Sequence, residues 1–116
     1  MKIPGPDHPI AILPADQHVV VRAGGRVLAD TRGALSLREA SYPAVPYIPR
    51  KDADMAQLER STHKTYCPYK GDCSYYSIKG GAQNAAWSYE DPYDAVAAIK
   101  DHLAFYPDRV DAIEID

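Results

Sequence analysis

The paired glycines Gly24-Gly25 constrain this chain more than any other feature. They sit between two β-branched runs, Val19-Val20-Val21-Arg22-Ala23 before and Arg26-Val27-Leu28-Ala29-Asp30-Thr31 after. A two-residue loop between such runs needs positive φ at its centre. Glycine reaches that without a Cβ penalty, and the resulting turn follows the twist of its flanking strands. An antiparallel hairpin is therefore specified locally. Leu35-Ser36-Leu37-Arg38-Glu39 adds a third strand by its period-two alternation, with Leu35 and Leu37 on one face.

Proline divides the rest. Pro4, Pro6, Pro9 and Pro14 make residues 1–18 an extended arm, pinned by Ile10, Ile12 and Leu13, ahead of one domain over residues 19–116. Tyr42-Pro43 through Tyr47-Ile48-Pro49 is proline-spaced and extended. Asp52 is expected to cap a short helix over Ala53–Glu59. Asp91-Pro92 is expected to open a second helix reaching Leu103, which buries Ala95, Val96, Ile99 and Leu103. Further strands are expected over 62–66, 74–79, 85–89 and 110–115. The expected fold class is α+β, mainly β, with two packed antiparallel sheets and two short helices.

Composition narrows the function classes. A net charge of −3 argues against bulk binding to nucleic acid or to a membrane surface. No run approaches the roughly 20 apolar residues of a membrane span. Residues 1–18 hold four prolines and no apolar centre of an export signal, so a cytoplasmic address with reduced cysteines is expected. Charge is uneven: residues 50–79 carry six basic and four acidic side chains, and residues 90–116 carry two basic and eight acidic. The aromatic residues are nine tyrosines, one tryptophan and one phenylalanine, all between Tyr42 and Tyr106. Rings with hydroxyls suit half-buried strand positions, and equally a cavity wall that must be apolar and still form hydrogen bonds.

Chemistry concentrates in Ser61-Thr62-His63-Lys64-Thr65-Tyr66-Cys67-Pro68-Tyr69-Lys70-Gly71. Lys64 and Lys70 offer cationic donors, Thr65 a hydroxyl, and the Cys67–Gly71 turn a set of backbone N–H groups that suit an anion. A Cys/His nucleophile fails on geometry, because four strand residues separate His63 from Cys67 by about 13 Å. A zinc site fails on spacing, since Cys67 and Cys73 do not form the short Cys-x₂₋₄-Cys knuckle. No phosphate-binding P-loop or dinucleotide fingerprint is present, so neither metal nor cofactor is expected. Asp52 and Asp54 read as helix-start carboxylates rather than a magnesium pair. Glu39 reads as a general base, as a partner for Lys64, or as an exposed strand-end charge.

Six motifs then carry a resemblance. They are Glu39-x₂-Tyr42-Pro43, Tyr47-Ile48-Pro49-x₂-Asp52, Ser61-x₃-Thr65-x-Cys67-Pro68-Tyr69-Lys70-Gly71, Tyr75-Tyr76, Ala86-Trp87-Ser88-Tyr89-x₂-Pro92 and Phe105-Tyr106-x₃-Val110. In that order, over about residues 19–113, the chain resembles the DUF427 family, a small domain of unknown function. The resemblance implies a compact β-tent of two antiparallel sheets, related in shape to zinc-bearing domains whose cysteine knuckles are missing here. The family is also labelled nucleotidyltransferase-like; Asp52-x-Asp54 is the support for that, and the usual Gly-Ser partner is absent. Its motif marks Glu39, Tyr42, Tyr47, Thr65, Cys67, Pro68, Tyr69, Lys70, Gly71, Trp87 and Tyr89, with no established chemistry.

Three functions are expected from these readings. The first is a domain that binds a small anionic or polar-aromatic metabolite. Lys64, Thr65 and Lys70 would grip it, and Tyr42, Tyr47, Tyr75, Trp87 and Tyr89 would form the wall. The second is a small enzyme with Glu39 as base and Lys64 or Cys67 as electrophile or nucleophile. The third is an interaction domain with exposed tyrosines, whose simplest form is a homodimer.

Overall fold

Both turn glycines adopt positive φ, 60° and 75°, and join β2 (Val19–Ala23) to β3 (Arg26–Thr31) as an antiparallel hairpin. The computed structural model describes residues 1–116. β4 (Leu35–Glu39) follows within the span its alternation indicates. The other strands are β1 (Ile10–Pro14), β5 (Val45–Tyr47), β6 (Leu58–Cys67), β7 (Gly71–Ile78), β8 (Ala86–Ser88), β9 (Ala104–Phe105) and β10 (Ala112–Ile115). They form three antiparallel sheets rather than the expected two, in the orders β1-β4-β5, β10-β2-β3 and β6-β7-β8-β9. The far half of the arm is itself a sheet strand: Ile12 stands opposite Leu37. Ile10 and Ile12 pack inward, whereas Leu13 is 65% exposed and pins nothing.

The four-stranded sheet serves two cores because successive strand side chains point to opposite faces. On β7, Tyr76 and Ile78 join Val21, Leu28 and Leu103 in one cluster, while Cys73 and Tyr75 join Leu37, Tyr47 and Ile99 in the other. Leu28, Ile99 and Leu103 are fully buried, each contributing about 2 kcal/mol by the usual transfer scale. β6 behaves differently. It is the outer strand of its sheet, and only Leu58 among its ten residues is buried.

Neither expected helix forms as an α-helix. A 3₁₀ turn at Arg50–Asp52 precedes Ala53–Glu59, and within that span only Met55–Gln57 turns before β6 begins at Leu58. Pairing to the neighbouring strand wins: Ala29 and Ala53 form a bridge, and Asp54 N–H donates to Leu28 C=O at 2.8 Å. Asp52 caps nothing; its carboxylate accepts from Thr31 Oγ1 at 2.7 Å. The second segment is 3₁₀ over Asp94–Ile99, broken by a non-helical Val96. Val96, Ile99 and Leu103 are nevertheless buried, and Ala95 is exposed. Three of the four expected positions thus keep their burial without an α-helix, and Ala95 does not. Leu103 then turns extended to bridge Ile48.

Candidate functional site

A cavity of about 710 Å³ opens where β4 and β5 meet β7, β8 and β9. Sixteen residues line it, eleven of them hydrophobic. Leu37 and Glu39 come from β4; Tyr42 and the strand ending in Tyr47 follow it in the chain. Tyr75, Trp87 and Tyr89 close the opposite side, with Tyr106 beyond β9. Pro43 and Pro46 also line it; their fixed φ and missing N–H favour extended edge backbone. The rings are held at defined angles. Trp87 Nε1–H donates to Tyr47 Oη at 3.1 Å with the rings nearly perpendicular, and Trp87 leans on Tyr106 at 4.5 Å between centroids.

The polar end of the cavity is an ion pair between Lys70 Nζ and Glu39 Oε1. The Cys67–Gly71 turn aims Lys70 inward: Lys70 N–H donates to Cys67 C=O at 3.3 Å, and Lys70 C=O accepts from Tyr93 N–H at 3.1 Å. Gly71 completes this at φ 107°, a value only glycine adopts freely, and a Cβ there would meet the Asp91 carbonyl at 3.5 Å. Lys70 is only 7% exposed and stands 5.6 Å from the Tyr89 ring centroid. The second carboxylate oxygen of Glu39 is held by His8 Nε2 at 2.7 Å. Burial alone would raise the Glu39 pKa, but the hydrogen bonds from Lys70 and His8 outweigh it and hold the carboxyl below its ordinary range.

The fold gathers seven of the expected site residues around this cavity: Glu39, Tyr42, Tyr47, Lys70, Tyr75, Trp87 and Tyr89. Thr65 stands behind the wall, its Oγ1 bonded to Tyr75 Oη at 2.8 Å. Cys67 packs half-buried against the same core. Tyr69 faces away, stacked on His8 at 4.0 Å with the rings 8° apart. Lys64 lies in a separate polar groove with Arg60 and Ser61. The partner of Glu39 is therefore Lys70, not Lys64.

Burial raises the pKa values of Tyr47, Tyr75 and Tyr89, so their hydroxyls stay neutral donors and acceptors. Burial likewise raises the Cys73 thiol, which removes it as a ready thiolate. Glu39, held ionised by two donors, is a weak base. No three His, Cys, Asp or Glu side chains converge as metal ligands.

A second constellation escaped the sequence reading altogether. Arg50 and Arg60 flank the Tyr76 ring, with guanidinium carbons 5.3 and 5.2 Å from its centroid. Glu90 accepts from Arg50 at 3.0 Å, from Arg60 at 2.7 Å and from Tyr76 Oη–H at 2.6 Å. Burial pushes the Glu90 pKa up, and these donors more than reverse it, to about 2. The one available signal was Tyr76 on a buried strand face, which needs a partner for its hydroxyl.

No helix is long and apolar enough to cross a membrane. No curated protein matches the sequence. A family model described as a domain of unknown function, DUF427, matches residues 11–116, from the first inward strand through β10 and including every residue of the cavity. The chain belongs to the DUF427 family.

Proposed function

We propose that this chain is a binding domain for a small polar-aromatic molecule, held in the cavity between Tyr47, Trp87 and the Lys70–Glu39 pair. The observation that carries the reading is the neutralised pair at the end of an aromatic-walled cavity. About 710 Å³ falls within the usual 300–1,000 Å³ of small-molecule sites. The walls favour a flat apolar body, and tyrosine hydroxyls kept neutral offer hydrogen bonds at no cost in charge.

The polar end narrows the head group. Lys70 is already paired, so a doubly charged anion would have to compete with Glu39 for it. A neutral or singly charged head that accepts from Lys70 and donates to Glu39 suits the pair better. The two free thiols suit a reducing, cytoplasmic setting. The enzyme reading loses support because Glu39 is tied up and neither Lys64 nor Cys67 lines the cavity.

Trp87 is the single tryptophan and lines the cavity, so its emission reports occupancy directly. A library of phenols, aromatic amides and aromatic carboxylates should contain members that change Trp87 fluorescence saturably. Tyr47→Phe, which removes the hydroxyl beside the indole, should weaken them several-fold. A library without one saturating member would reject the proposal.

A further inference from the structure

The groove holding Lys64 is a site of its own. It encloses about 520 Å³ and is lined by nine residues, none hydrophobic, among them Arg60, Ser61, Thr62 and Lys64. We infer that it binds the phosphate group of a small phosphorylated molecule, gripped by Arg60 and Lys64 across the bulge of β6.

The bulge brings the two cations together. Arg60 pairs with Tyr76 and Lys64 pairs with Ser74, so four steps on β6 match two on β7. Two strand residues span about 7 Å, where four would span about 13 Å. Residues opposite one another in an antiparallel ladder share a sheet face, and Ser74 and Tyr76 are two apart; Arg60 and Lys64 therefore project to the same side. Ser61, Thr62 and His63 are the residues displaced by the bulge, and they place two hydroxyls beside the cations. Bulges re-aim side chains in this way next to functional sites.

Arg60 is oriented by its ion pair with Glu90 and keeps two nitrogens open. Its three hydrogen bonds, to Tyr76 Oη and to both Glu90 oxygens, all leave from Nη2. Nε and Nη1 donate to nothing in the protein, and the side chain is 50% exposed. Arg50 is the contrast: its Nε, Nη1 and Nη2 are all engaged. Both forks of a guanidinium include Nη2, so Arg60 offers a phosphate oxygen single N–H donors from Nε and Nη1 rather than a bidentate edge. Lys64, unlike Lys51 and Lys70, takes part in no ion pair. Glu59 lines the groove and Glu90 pairs with Arg60, so the charge left unpaired there is that of Lys64.

The test is an amide NMR titration with inorganic phosphate, sodium chloride being withdrawn to hold ionic strength constant. Saturable shifts confined to residues 59–64, 77 and 83–84 are expected, with the Trp87 indole resonance unmoved. Lys64→Ala, at an exposed position, should keep the fold and weaken phosphate about fivefold, the order of one solvated charge contact. Arg60→Lys keeps the charge, loses the fixed Nε and Nη1 donors and should weaken it about threefold. Phenyl phosphate in parallel separates the sources. Equal affinity assigns the groove to the phosphate group alone, and tighter binding assigns it to a phosphomonoester. Three results would overturn the inference: no saturation at those residues, unchanged affinity in Lys64→Ala, or shifts centred on Trp87.

Discussion

Lys64 and Lys70 stand six residues apart on one hairpin, and they meet opposite fates. Lys70 is buried, paired with Glu39 and stacked near Tyr89; Lys64 is exposed and unpaired beside a half-free arginine. The first lysine shapes a cavity whose charge is already balanced. The second belongs to a groove whose charge is not. A lysine's chemistry is decided by what else touches it, and the same side chain on β6 and in the turn that follows it meets two different surroundings.

The sharpest way to break this comparison is to delete each charge. Lys70→Ala leaves the largely buried Glu39 with His8 alone, and the loss of one partner from a buried pair costs about 3 kcal/mol. Urea denaturation should show that loss. A matching loss for Lys64→Ala would erase the distinction.

Glu90 gives the next effect. Glu90→Gln removes the shared acceptor of Arg50, Arg60 and Tyr76 and should cost about 2 kcal/mol near neutral pH. Its pH dependence has a fixed sign. The folded pKa lies near 2, below the ordinary 4.5, so the contribution is complete above pH 4.5 and fades as pH falls toward about 2. Wild type and Glu90→Gln should therefore converge in stability over that window. A constant gap would show that the charge is not the cause. Glu39, also lowered, has the same sign and should steepen the wild-type acid loss.

Trp87→Phe should come third. It removes the Nε1–H donated to Tyr47 and some ring area, about 1 kcal/mol by the net worth of such a bond. Smallest is Lys64→Ala, within about 0.5 kcal/mol of wild type, as for exposed positions free of partners.

The Gly24-Gly25 hairpin, β4 and the buried triplet Val96, Ile99 and Leu103 were legible because each rests on contacts a few residues apart. Gathering Glu39, Tyr47, Lys70, Trp87 and Tyr89 around one cavity could be expected only through the DUF427 resemblance, since Glu39 and Lys70 are 31 residues apart and no local pattern joins them. The helices were misread because Ala53 and Leu103 answer to strands elsewhere, at Ala29 and Ile48. Arg60 was invisible for another reason. A bulge leaves no mark in the alternation of a strand as exposed as β6, so nothing announced that Arg60 and Lys64 share a face.

The central claim is that the aromatic cavity, with its neutral Lys70–Glu39 end, is where this domain takes its ligand. Trp87 provides the only side-chain indole N–H in the chain, so one resonance in a nitrogen–proton spectrum watches that cavity. Screening polar-aromatic fragments against labelled protein should yield binders that move the indole peak together with the Lys70 and Tyr89 amides. Binders that shift only surface amides and leave the Trp87 indole in place would contradict it.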